Sequence, residues 1–93
     1  MTRLSRTVTI VNQKGLHARA SAKFVTFVSR LPEGIKVEVE KDGQFVTGTS
    51  IMGLMMLAAA TGTTIKVEAT GSEAGAVVAA LAKLVENGFG EED

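Results

Sequence analysis

Ile35-Lys36-Val37-Glu38-Val39-Glu40-Lys41-Asp42-Gly43-Gln44-Phe45-Val46-Thr47 opens with Ile35, Val37 and Val39 alternating against Lys36, Glu38 and Glu40. A period of two belongs to a strand with one face on a core and the other in water. Asp42-Gly43 follows, a dipeptide that tolerates positive φ and so suits the tight primed turn of a right-twisted hairpin. Gln44 to Thr47 is therefore expected to return antiparallel. This hairpin makes the sheet antiparallel, with helices expected wherever the apolar spacing lengthens from two to about 3.6 residues.

Upstream, Ala20, Phe24, Phe27, Val28 and Leu31 recur at the spacing of one helical stripe, which predicts a helix from about Ala18 to about Arg30, stopped by Pro32 and Gly34. Before it, Leu4, Val8 and Ile10 alternate among Thr and Arg as in a strand from Leu4 to Val11, and Asn12-Gln13-Lys14-Gly15 is a polar break. Downstream, Ser50 stands at the N-cap position of a short apolar helix that starts at Ile51 and ends by Thr61-Gly62. Ile65 and Val67 alternate with Lys66 and Glu68 in a fourth strand over Thr64 to Ala69. Ser72 is expected to cap a last helix carrying Val77, Val78, Leu81, Leu84 and Val85, with Asn87-Gly88 as its stop. An acidic tail over about 89–93, including Glu91, Glu92 and Asp93, is expected to fray.

The order strand, helix, strand, strand, helix, strand, helix predicts an α+β fold. It is an open-faced β-sandwich: a four-stranded antiparallel sheet with three helices on one face. Thr7, Thr9, Lys36, Glu38, Lys66 and Glu68 fall on the other face, expected to be left to water.

A length of 93 residues reads as a single domain, 1–93. Lys plus Arg and Asp plus Glu number 10 each, so the basic excess that drives nucleic-acid binding is absent. An RNA-binding sheet would also need stacking aromatics, for which only Phe45 is a candidate. No nucleic-acid partner is expected. The lack of cysteine removes disulfides and thiolate metal sites, and Met1 to Arg6 lead into no export signal, so a cytoplasmic location is expected. The most apolar run, Ile51 to Ala60, is about half of a bilayer span, and no membrane insertion is expected. A single histidine without a neighbouring carboxylate or thiol cluster is not a metal-ligand set.

That histidine lies in Gly15-Leu16-His17-Ala18-Arg19-Ala20, and no cysteine competes with it for chemistry near neutral pH. With a helix starting at about Ala18, the first N–H groups, those of Ala18, Arg19 and Ala20, lack intrahelical acceptors. Together with the helix dipole and the Arg19 guanidinium they suit a phosphate or a carboxylate. An unprotonated ring nitrogen there can attack a phosphoryl group. The same residues also read as a loop histidine beside a solvated arginine. On the second helix, Leu54 and Leu57 are expected to face inward. Ile51, Met52, Met55 and Met56 read either as core filler or as an exposed patch beside His17 that adapts to protein partners.

Gly15-Leu16-His17-Ala18-Arg19, with the element order of almost the whole chain, resembles the HPr family, histidine phosphocarriers of the phosphoenolpyruvate-dependent phosphotransferase system. The resemblance implies that His17 takes a phosphoryl group on Nδ1 from phosphorylated Enzyme I and passes it to a histidine of an Enzyme IIA protein. Arg19 would stabilise the phosphate. It implies a monomeric carrier with a phosphohistidine intermediate, not a free-standing enzyme, and no cofactor. Ala20 stands where many members have proline, a departure that removes no catalytic group. Ser50 aligns with a serine that a dedicated kinase modifies in some members, which adds a serine kinase/phosphorylase as a partner; a plain N-cap role remains open beside this.

In HPr-like proteins the second helix contacts Enzyme I and Enzyme IIA, which makes Leu16, Ala20, Ile51, Met52, Met55 and Met56 the expected partner-binding residues. The wording Gly-Leu-His-Ala-Arg-Ala-Ser-Ala-Lys-Phe-Val and Ser-Ile-Met-Gly-Leu-Met-Met-Leu is similar to proteobacterial members, often of the nitrogen-related branch. Sugar transport and nitrogen or carbon regulation both stay open as outputs. The alternative, a small regulatory ligand-binding domain of similar topology without phosphotransfer, leaves His17 and Arg19 unexplained.

Overall fold

In the computed structural model, which describes residues 2–91, the hairpin forms where its alternation demands it. Strand β2 (Lys36–Lys41) pairs with β3 (Gln44–Thr47), Val39 opposite Val46, and Asp42 and Gly43 turn the chain at φ 52° and 87°. β1 (Arg3–Thr9) and β4 (Thr64–Thr70) complete one antiparallel sheet in the order β1-β4-β2-β3. Helices α1 (Ala18–Ser29), α2 (Ile51–Met56) and α3 (Ala74–Glu86) follow in the expected order, and a 3-10 turn spans Gly88–Gly90.

The register stacks Val8 on Ile65 and Val67 on Val39, with Ala69 opposite Val37, so one face of the sheet is a continuous apolar layer. Phe24 and Val28 of α1, Leu54 of α2, and Val77, Val78, Leu81 and Val85 of α3 close over it. Each such side chain contributes roughly 1.5–3 kcal/mol on burial, which is what holds the helices down.

Several expectations need correction. Leu4 is exposed, because it lies at an edge strand against Gly75, a residue of the first turn of α3 with no side chain to cover it. Glu68, expected in water, is buried: Arg3 folds over it with Nε 3.2 Å from Oε1, and the guanidinium offsets the repulsion from Glu38, its cross-strand neighbour. Ser72 does not cap α3. Glu73 holds the N-cap position without a side-chain bond, and a turn from Gly71 O to Ala74 N leads into the helix.

α2 is shorter than its apolar run, because Ala58 takes a left-handed φ of 52° and ends it. β1 ends at Thr9, although Ile10 still exchanges backbone bonds with Thr63 and Gly62. The acidic tail does not begin at 89. Phe89 is 1% exposed in the core, and Glu91 is anchored; Glu92 and Asp93 lie outside the described residues. Among the described residues, no helix is long and apolar enough to cross a membrane.

Candidate functional site

The loop before α1 is held by contacts that only a few residue types allow. Gly15 sits at φ 62°, and a Cβ there would stand 2.3 Å from the Ala59 carbonyl oxygen, so the position needs both the left-handed backbone and the missing side chain. Leu16 N–H then donates to that same carbonyl at 2.9 Å, tying the loop to the segment that follows α2. Ser21 Oγ donates to Leu16 O at 3.2 Å from a fully buried position. Nothing in the sequence marks Ser21, since a serine inside a helix reads as neutral filler.

These contacts put His17 at the N-cap of α1 itself, with φ −75° and ψ −178°, and its carbonyl accepts Ser21 N–H at 2.9 Å. Its Nδ1 accepts the Arg19 backbone N–H at 3.3 Å. Its Nε2 lies 2.7 Å from Glu91 Oε2. A nitrogen that accepts carries a lone pair and a nitrogen facing a carboxylate carries a proton, so the hydrogen-bond network assigns the Nε2–H tautomer. The lone pair is on Nδ1, at the start of the helix, and the His17 side chain keeps 24% of its surface exposed.

Glu91, expected in a frayed tail, is 8% exposed at its side chain. Its Oε1 accepts Asn12 Nδ2 at 3.0 Å, and Asn12 Nδ2 also donates to Gly15 O at 2.8 Å. Asn12 is buried, and its Oδ1 has no partner among the described residues, a cost of about 1–3 kcal/mol that the two donated bonds must offset. Burial works to raise the Glu91 carboxyl. The bonds donated by Asn12 and His17 and the charge of Arg19 outweigh it and hold the carboxyl below its ordinary range. The segment is further pinned by Lys23 Nζ, which donates to Phe89 O at 2.8 Å.

Ala18 and Arg19 are exposed at the helix start, as a phosphate-binding role requires. Leu16 and Ala20 are buried, Ala20 with 0% exposure: Leu16 turns inward from the loop and Ala20 from the first turn of α1, both onto the core. Their burial corrects the expectation that these side chains meet a partner; the phosphate role expected of Ala20 is one for its backbone N–H and not for its methyl group. Ile51, Met52, Met55 and Met56 are exposed, Met52 at 70% and Met56 at 66%, while Leu54 and Leu57 face inward. The core-filler reading of the methionines therefore fails. Ser50 caps α2, its Oγ accepting Gly53 N–H at 2.9 Å. Among the described residues no three His, Cys, Asp or Glu side chains cluster.

The family model PTS-HPr, the PTS HPr component phosphorylation site, matches residues 4–87. The chain belongs to the HPr family. Phosphocarrier protein HPr of Neisseria meningitidis is 46% identical over 88 residues, covering 95% of this chain and 97% of the relative. Phosphocarrier protein NPr of Shewanella violacea is 39% identical over 92 residues, covering 98% of both. Among solved structures, HPr-C-His from Thermoanaerobacter tengcongensis superposes with a TM-score of 0.85 at 39% identity, covering 100% of both chains. The fold is thus that of HPr, and the family match stops short of Glu91.

Proposed function

We propose that His17 carries the phosphoryl group through which this chain performs the HPr family's role, that of a phosphocarrier of the phosphotransferase system. The observation that carries the assignment is the state of its ring: Nε2 is occupied by Glu91, and Nδ1 keeps its lone pair at an exposed helix start. In the forward step the Nδ1 pair attacks the phosphorus of a phosphohistidine on Enzyme I. The new N–P bond forms, the donor's N–P bond breaks, and its electron pair returns to the donor ring.

Phosphorylation ends the contact between Nδ1 and the Arg19 N–H, and that N–H is then free for a phosphoryl oxygen. The Arg19 guanidinium meets a second oxygen as the charge spreads in the transition state. The open helix end holds the group without enclosing it, so a histidine of an Enzyme IIA protein can take it by the same displacement in reverse. α2 packs on α1 and its trailing segment receives Leu16, which supports Ile51, Met52, Met55 and Met56 as the surface that both partners cover. A monomer in the cytoplasm fits this shuttling, and sedimentation as a stable dimer would contradict it.

Phosphoenolpyruvate, purified Enzyme I and this chain test the reading. Wild type is expected to take label and His17→Ala to take none; label on the variant overturns it. Parallel transfer to a sugar-type and a nitrogen-type Enzyme IIA decides the branch. Ser50 is the proposed regulatory position. A phosphate there keeps a helix N-terminus for its oxygens while placing negative charge beside the α2 surface. Failure of the host's serine kinase to modify Ser50 removes that proposal.

A further inference from the structure

The described chain ends on the reactive ring. Gly88, Phe89 and Gly90 all take left-handed φ, at 63°, 57° and 72°. For phenylalanine that is a strained backbone, and burial of its ring in the core holds it there. Lys23 grips the Phe89 carbonyl and Asn12 grips Glu91 Oε1, which leaves Oε2 aimed at Nε2 of His17. A surface ion pair formed by chance does not come with a buried asparagine, a lysine and a strained turn to hold it.

We propose that Glu91 is a positioning residue for phosphoryl transfer at His17. Its carboxylate keeps the proton on Nε2, so that Nδ1 alone is nucleophilic, and it balances the positive charge the ring gains when Nδ1 is phosphorylated. The proposal rests on the reading of His17 as the carrier and adds a residue beyond the stretch that the family model matches.

The chemistry balances without an outside acid or base. Nδ1 donates its pair to phosphorus, and the ring, still protonated at Nε2, becomes a phosphorylated imidazolium facing the Glu91 carboxylate. When the group moves on, the N–P pair returns to Nδ1 and the ring leaves as neutral Nε2–H imidazole. A phosphorylated ring that had lost the Nε2 proton would have to leave as an anion, a poor leaving group. The carboxylate therefore favours onward transfer by keeping that proton in place, as an orienting carboxylate does for a catalytic histidine elsewhere. The cationic groups beside Glu91 are Arg19, whose charge acts on its carboxyl, and Lys23 of α1, which grips the Phe89 carbonyl. α2 and residues 57–60 bring none, so Glu91 is the anionic group that the described residues set against the ring.

Glu91→Gln and Glu91→Asp in the full chain test it. Glu91→Gln keeps an oxygen acceptor and loses the charge. The pH profile of phospho-His17 hydrolysis is expected to move down by about one unit, since an opposite charge in contact is worth that much or more. Transfer to Enzyme IIA near neutral pH then slows about tenfold with KM unchanged. Glu91→Asp recovers part of the loss. A Glu91→Gln protein with wild-type melting, hydrolysis profile and transfer rate overturns the proposal while leaving His17 as the carrier. Labelling of His17→Ala removes the carrier reading itself. One measurement needs no variant: 15N spectra of wild-type His17 should show an Nε2-bound, slowly exchanging proton before and after phosphorylation. A proton on Nδ1, or fast exchange at Nε2 in the phosphorylated protein, overturns the proposal.

Discussion

The loop at His17 and the helix α2 lie side by side and are built in opposite ways. At His17, Asn12, Gly15, Leu16, Ser21, Lys23 and Glu91 all engage in specific polar contacts or close approaches, and both ring nitrogens are engaged. Along α2, four large apolar side chains stand exposed around a helix only six residues long, fixed to the core by Leu54. Chemistry at a single atom rewards a rigid surround, because a small misplacement costs rate. Contact with more than one protein rewards the reverse, and methionine, with its flexible and polarisable side chain, accommodates different faces.

The largest effect should come from breaking the rigid side at its hinge. Gly15→Ala forces a side chain against the Ala59 carbonyl in a left-handed backbone, and the unfolding free energy should fall by at least about 3 kcal/mol, with loss of phosphotransfer. Denaturant unfolding checks it; a change within about 0.5 kcal/mol would mean that the loop is not braced as described. On the adaptable side, Met52→Glu should leave the melting temperature unchanged and raise KM for phosphorylated Enzyme I about tenfold, as loss of an interface contact does. Equal kinetics for the two proteins would detach the methionine surface from function.

The smallest effect concerns acid. The Glu91 carboxyl is held below its ordinary value in the folded chain, so the folded state binds fewer protons than the unfolded one in that range. Its contribution to stability is complete above the unfolded carboxyl value, about 4.3, and is lost as pH falls through the folded value. The difference in urea midpoint between wild type and Glu91→Gln should be present at pH 6 and vanish in strong acid. A difference that persists there would assign it to packing of the side chain and not to its charge.

The elements were legible because each rests on a local period: β2 on alternate valines, α1 on the stripe Ala20, Phe24 and Val28, the hairpin on Asp42-Gly43. His17 and Arg19 were legible because the reactive residue, its glycine and its arginine fall within a few positions of one another. Leu16 and Ala20 are neighbours of His17 along the chain but are buried, because adjacency in sequence does not place side chains on one surface. The burial of Glu68 lies outside the pattern because alternation assigns a face and does not show the arginine that covers it.

By itself, then, the amino-acid sequence determined the order of strands and helices, the antiparallel sheet, and the histidine with its neighbouring arginine, since all of these depend on spacing over a few residues. The tertiary structure alone decided that Glu91 closes on His17 from 74 positions away, that Asn12 and Lys23 hold it there, and that Nδ1 is the nitrogen left with its lone pair. Those facts depend on a strained turn at Phe89 that only a formed core can hold, and a core is a property of distant residues brought together.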